Sequence, residues 1–412
     1  MTVKKILILC TVMLCCAVVS AQQKLSVSSP GGKPKPTLNA TAEAVSYDIA
    51  NQKQTLVSNS LLAFYFDSIM SPNSWLEVCD AIKIARLTGN SIPGETIPNP
   101  NRTTELYNIG GTDLGIYWKI NNNKVGILFG DTYGRDWKPG HIPNWRSNVL
   151  AFSTDTNLED GITFDNMICD ENGNAKEIIY SEHDTSQHGD YSSIPTTAIR
   201  LNKVDYIHYM NVKSWIPNWT TNWSGYAVSY DEGKTWKLYK KLFSAQSKFA
   251  QQALWEKDGY VYAIGSIIGR RGLPYLARFK PENILLPETY EYWNKTDGWI
   301  IGNEDAATAL FGNYQDQMYA EPTLVYHEYF KKWITVYYNE IKNQIVLRSC
   351  DELTGKWSKE SVIANASDYP MPYGGFIYPL NLTEPYIYIS LSQWDPLYNV
   401  FLMKVNLKIM RD

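Results

Sequence analysis

Three carboxylates carry the chemistry that the chain suggests: Asp113 in GGTDLG, Asp131 in FGDT and Glu321 in YAEPTLVY. Hydrolysis of a glycosidic bond needs one carboxylic acid to protonate the leaving oxygen, and one carboxylate to activate water or attack the anomeric carbon. Like charges crowded against apolar walls raise one pKa, so an acid and a base coexist near neutral pH. On this reading Glu321 is the general acid, Asp113 the general base or nucleophile, and Asp131 the neighbour that orients them and sets their pKa values. Each also has a structural alternative. Asp131 caps the turn Thr132-Tyr133-Gly134, and Asp113 bonds backbone amides at a Gly-rich strand start, both ordinary Asx behaviour. Pro322 leaves no amide after Glu321, which makes turn capping less natural there.

An internal repeat must bring these residues together, and a repeat fixes the architecture before any motif does. Five segments resemble one another: VGILFGDTYG, YIHYMNVKSW, YVYAIGSIIG, WITVYYNEIK and YIYISLSQWD. A partner strand precedes each (GGTDLGIYW, IPTTAIRL, AQQALWEK, YAEPTLVYH, YGGFIYPL), and a third follows (SNVLAFSTD, GYAVSYDEG, PYLARFKPE, QIVLRSCDE, YNVFLMKVN). Outer strands at ITFDN, TWKLYKK, TYEYW and KWSKESVI complete four-stranded blades. The fold class is therefore all-β, a five-bladed β-propeller over residues 56–412. A ring must close without an exposed edge, and the fifth repeat runs out of chain. An N-terminal segment, AIKIARLTG at 81–89, is expected to supply its outer strand, so deletion of 75–90 should unfold the domain. Ser229 to Trp236 matches the Asp-box pattern S-x-D-x-G-x-T-W and reads as a structural turn on an outer hairpin.

In such a ring the start of each inner strand and the end of the next emerge on one face. Aligned on their apolar positions, the five inner strands present Asp113, Thr196, Gln251, Glu321 and Tyr373 (or Gly374) at the channel mouth. The ends of the second strands present Asp131, Asn211, Gly265, Tyr338 and Leu391. Substrate-binding candidates on that face are Trp145, Arg146, Thr196, Gln251, Arg271, Tyr275 and Tyr373, with Arg146 equally suited to an ion pair with Asp131. His208 and Lys213 are further candidates, although His208 reads by alternation as a core histidine.

The remaining composition excludes more than it selects. With 29 Tyr and 14 Trp the chain is rich in side chains that stack on sugars. Its net charge is −4, without the basic block of a nucleic-acid binder. No HExxH, GxGxxG, phosphate loop or GxSxG elbow occurs. No metal ligands are specified, and no cofactor is required; propellers often hold a calcium or sodium ion in the channel, but no residue set selects one. Residues 1–21 have the layout of a secretory signal peptide, with ordinary cleavage near Ala21 favoured over a lipoprotein site at Cys15 or Cys16. This implies a secreted or periplasmic protein without a membrane span. Residues 22–55, rich in Ser, Pro, Gly and Lys, read as a flexible linker. Three cysteines leave with the signal peptide, and Cys79, Cys169 and Cys350 read as buried thiols, not disulfides.

Taken together, GGTDLGIYW, ILFGDTYG, Trp145-Arg146-Ser147-Asn148, IPTTAI, WSGYAVSYDEGKTW, LPYLARF and YGGFIYPL resemble the domain-of-unknown-function family 4185, grouped as glycoside hydrolase family 183, in the same order over about 80–408. The resemblance implies a five-bladed propeller that is an endo-acting D-arabinofuranosidase of D-arabinan, and places family acids on Asp113 and Asp131. The fourth inner strand departs from it, having Pro322 where a Glu-Leu or Glu-Met step is expected. Two readings compete: a lectin-like propeller that grips glycans without cleaving them, and a furanosidase of another substrate such as arabinan or fructan. The expected partner is a polysaccharide, and the expected state a monomer.

Overall fold

The computed structural model describes residues 74–411 except 316–317, together with the backbone of four strands between residues 23 and 61. The chain divides into two compact units, Met1–Ser74 with Asp412, and Trp75–Arg411. The segment expected to be a signal peptide, residues 1–21, lies outside the described residues. In the first unit, Gln23–Ser26, Lys35–Ala40, Val45–Asn51 and Gln54–Leu61 pair antiparallel in sequence order. These strands fall largely within residues 22–55, the segment expected as a linker, and the second unit starts at Trp75. The Pro/Gly/Ser bias of the segment masks the alternation of Val45, Tyr47 and Ile49 with polar residues, the period of a strand.

The second unit is all-β, with antiparallel sheets arranged as a five-bladed propeller. Blade one runs from Leu114–Asn121 outward through Lys124–Phe129 and Val149–Ser153 to the short Asn166–Met167. Blade two comprises Ser192–Leu201, Val204–Ser214, Thr220–Ser229 and Lys237–Ser244. Blade three comprises Gln251–Lys257, Tyr260–Ser266, Tyr275–Phe279 and Glu291–Asn294, extended by Gly298–Ile301. Blade four comprises Ala320–His327, Lys332–Asn339, Gln344–Cys350 and Ser361–Asn365. Blade five takes Pro372–Ile377, Tyr386–Gln393 and Asn399–Arg411 from the end of the chain and Ser74–Arg86 from before blade one as its outer strand. The closing strand is the expected N-terminal one, set a few residues earlier than 81–89.

Both faces of the two middle strands of blade one are covered, which is why Val125, Ile127, Leu128, Phe129, Val149, Leu150 and Ala151 are completely buried and the sequence runs apolar instead of alternating. The Asp box behaves as a turn. Asp231 accepts from the Thr235 amide and hydroxyl, Ser229 Oγ accepts from the Gly233 amide, and Trp236 Nε1 donates to the Gly233 carbonyl. The three cysteines among the described residues are free; Cys350 is buried, Cys169 half-buried, and Cys79 is exposed on the outer closing strand, where a side chain can face solvent.

The inner strands surround a channel of about 460 Å³, lined by Ile116, Ile199, Leu254, Leu324 and Phe376 among others. Its lining comes from the middle and later parts of these strands. The acids sit at the opposite end, where the strands begin.

Candidate active site

The inner strands do not start as regular ladders. Pairing shifts between Leu114 and Ile116, between Pro195 and Thr197, between Ala320 and Thr323, and between Tyr373 and Gly375. Leu114 and Glu321 adopt left-handed φ values of 70° and 49°, and Gly374 follows at 59°. Such backbone costs a non-glycine residue about 1–3 kcal/mol and persists only where the surroundings over-determine it. Bulges of this kind re-aim side chains at the rim of a ring. Blade three alone pairs without a shift, from Gln251↔Ser266 onward.

Blade one locks its two acidic motifs to each other. Thr112 and Thr132 share a hydroxyl hydrogen bond of 2.6 Å, Tyr133 N donates to the Gly111 carbonyl, and Gly130 N to the Asp113 carbonyl. Asp113 Oδ1 lies over Gly130 so closely that a Cβ there would sit 2.3 Å from it. Only glycine therefore fits in the FGDT turn. That Oδ1 is buried and has no hydrogen-bond partner, whereas Oδ2 accepts from Tyr373 Oη at 3.1 Å. The Tyr398 phenol also favours the charged form of the carboxylate. Desolvation, followed by the charge of Asp131, pushes the Asp113 pKa up to about 8 against the lowering effect of the two phenols.

Asp131 is buried as well, but better solvated by protein donors. Its Oδ1 accepts from Trp145 Nε1 and Ser192 Oγ, each at 2.7 Å. Burial raises its pKa to about 6, and these two donors limit the rise. Neither acid is in an ion pair among the described residues. The two ionisations belong to one coupled pair.

Glu321 meets a different environment. Its Oε1 accepts from Arg270 Nε at 3.0 Å and Nη2 at 2.7 Å, and its Oε2 from the Gly374 amide at 2.9 Å. Arg270 lies over the rings of Tyr338 and Tyr373, 4.9 Å from each centroid. Both oxygens of Glu321 are thus committed to fixed donors. It reaches Asp113 only through Tyr373 and through the field of its charge. This is the arrangement of a structural carboxylate that holds an arginine at the mouth, not of the free proton donor read from the sequence.

The other expected residues divide. Trp145 and Tyr373 join the acids directly. Thr196 instead bonds His208 Nδ1 at 2.6 Å inside blade two, where burial lowers the histidine pKa to about 3. Gln251 spends its amide on the Ile267 and Gly269 carbonyls, and so holds the loop that presents Arg270. Arg271, the arginine picked from the sequence, is exposed; its neighbour Arg270 enters the site. Tyr275 bonds Tyr314. Arg146 does not pair with Asp131: its Nη1 and Nη2 donate to the Ala175 and Asn108 carbonyls, bracing blade one.

The sequence reading missed Arg270, Ser192, Tyr133, Tyr398 and His183. Tyr398 arrives from the turn between the last two strands of blade five, a place that no inner-strand alignment samples. His183 stacks at 4.3 Å on Trp145 and contacts Glu177 Oε1 at 3.2 Å. No group of three or more His, Cys, Asp or Glu side chains able to hold a metal ion occurs among the described residues. No helix there is long and apolar enough to cross a membrane.

The model of the domain of unknown function DUF4185 matches residues 98–404. The chain belongs to the DUF4185 family. The match spans all five blades, and includes both acidic motifs of blade one. Notoamide biosynthesis cluster protein J' of Aspergillus versicolor is 28% identical over 331 residues, 74% of this chain and 87% of that protein. Notoamide biosynthesis cluster protein J of Aspergillus sp. (strain MF297-2) is 27% identical over 313 residues, 71% and 82% respectively. A Bacteroides ovatus structure, provisionally assigned as a hydrolase, superposes with a TM-score of 0.52 at 12% identity, over 73% of this chain and 87% of that one. At that identity the likeness speaks for the fold.

Proposed function

We propose that this DUF4185 protein is a secreted or periplasmic glycoside hydrolase, with Asp113 as the proton donor and Asp131 as the base or nucleophile. The observation that carries this is the separation of two neighbouring carboxyl groups at one channel mouth, one pushed to about 8 and the other to about 6. Around pH 7 the first is protonated and the second ionised, the division of labour that glycosidic cleavage requires. Asp113 gives its proton to the leaving oxygen, while Asp131 activates water or attacks the anomeric carbon. Trp145 and Ser192 hold the Asp131 carboxylate in place, and Tyr373 holds Asp113. Glu321 orients Arg270.

The substrate reading is an endo-acting cleavage of D-arabinan, which the first-blade motifs GGTDLG and FGDT support through their resemblance to the D-arabinan-degrading family. Incubation with D-arabinan, L-arabinan and fructan, with products resolved by chromatography, tests it. Release of D-arabino-oligosaccharides by the wild type and none by Asp113→Asn is the expected result. Cleavage of another polymer alone would retain the hydrolase and replace the substrate. Binding of glycan without any cleavage would favour the lectin-like alternative.

A further inference from the structure

On one side of the acids the channel mouth is built almost wholly of aromatic rings. Trp145, which donates to Asp131, lies 6.4 Å from Tyr133; Tyr133 lies 5.7 Å from Tyr398, and Tyr398 lies 4.7 Å from Trp394. Trp137 joins the same set, parallel to Tyr133 within 11° and 6.2 Å from Trp394. Tyr133 and Tyr398 lie within the electrostatic reach of Asp113. The chain of rings starts at the two acids and ends at Trp394, which is 43% exposed. Trp137, Tyr133 and Trp145 are half-buried, each keeping part of its surface accessible. Gly111 makes this wall attainable, because a Cβ there would stand 2.9 Å from the Trp137 ring.

A core cluster of this composition would be sealed, yet only Tyr398 is buried, whereas Tyr133, Trp137 and Trp145 keep accessible surface and Trp394 is exposed. No cation lies over Tyr133, Trp137, Trp145, Trp394 or Tyr398 among the described residues, whereas the opposite side of the mouth carries Arg270 over Tyr338 and Tyr373 and Lys248 over Tyr275. Aromatic faces with polar edges and no net charge suit the apolar faces and hydroxyl rims of neutral sugars.

We infer that Trp394, Trp137 and Tyr133, backed by the buried Tyr398, form an aromatic binding platform for a neutral glycan chain over the seam between blades five and one, beside the scissile bond at Asp113 and Asp131. The inference deepens the proposed hydrolase and rests on it for the position of the scissile bond. The platform makes affinity grow with chain length on one side of that bond.

The test uses the full-length Asp113→Asn protein and linear D-arabinofuranose oligosaccharides, from disaccharide to octasaccharide, titrated calorimetrically. The ratio of octasaccharide to disaccharide affinity is the readout. Introducing Trp394→Ala is expected to cut that ratio roughly tenfold, the scale of losing one aromatic anchor. Trp137→Ala should act in the same direction. An unchanged ratio in both variants would overturn the platform while hydrolysis by the wild type still stood. Absence of binding to every oligosaccharide would overturn both readings for this glycan. A length-dependent affinity without cleavage by the wild type would sustain the platform and overturn the hydrolase.

Discussion

Blades one and four each bring a carboxylate to the same ring of positions at the channel mouth, yet their surroundings send the two groups opposite ways. Asp113 has one oxygen buried without a donor, the Tyr373 phenol on the other, and a second acid as its neighbour. Glu321 has an arginine on one oxygen and a backbone amide on the other. The first environment penalises the charged form and stores a proton; the second commits the carboxylate to positioning. A position in a repeat therefore supplies a carboxylate, and its donors decide what the carboxylate does.

The contrast is broken most directly at Asp113. Asp113→Asn is expected to lower turnover about 10²–10⁴-fold, the usual contribution of a general acid, and at the same time to stabilise the fold. The sign follows from linkage: a carboxyl whose pKa rises from 3.8 to about 8 on folding costs nothing below the lower value, and costs progressively more as pH rises to the upper one. The melting temperature of Asp113→Asn should thus exceed that of the wild type by a margin that widens between these pH values and then stays constant. A variant that melts lower across this range would contradict the proton-storing role.

Glu321 should respond the other way. Glu321→Ala leaves Arg270 without its counter-ion and is expected to cost about 3 kcal/mol of stability in denaturant titration, the lower end for breaking a buried pair because Arg270 is partly exposed. Replacing both residues, as Arg270→Met with Glu321→Met, should recover much of that loss. Full activity in a folded Glu321→Gln protein would remove even its positioning role.

The pH profile sharpens the comparison further. With Asp131 ionised and Asp113 protonated in the active form, kcat/KM should be bell-shaped, with limbs near 6 and 8 that belong to the pair. The smallest effect is expected from Tyr373→Phe. Loss of its hydrogen bond removes a donor that lowers the Asp113 pKa, so the alkaline limb should move to higher pH by a fraction of a unit. A limb that moves down would assign the proton to another group.

Much of the architecture was legible because it repeats. Strand pairs recurring five times predicted the ring, the missing outer strand of the last repeat predicted closure by an N-terminal strand, and aligned apolar positions brought Asp113 and Asp131 to one face. Residues 22–55 were harder, since their composition masked a short alternation. At the site the alignment named positions but not their partners. Arg270 and Arg271 are indistinguishable in sequence; the loop held by Gln251 turns the first inward and leaves the second exposed. Arg146 looked free for a ligand or for Asp131, but carbonyls of Asn108 and Ala175 reach it first.

The sequence by itself determined the five-fold periodicity, the strand order and the presence of three acids at the mouth, because side-chain period and turn chemistry are local. Only the tertiary structure decided how tightly each acid holds its proton. That depends on desolvation and on donors contributed by other blades: Tyr373 and Tyr398 from blade five, Arg270 from blade three and Ser192 from blade two. These contacts join residues far apart in the chain, and no local pattern records them.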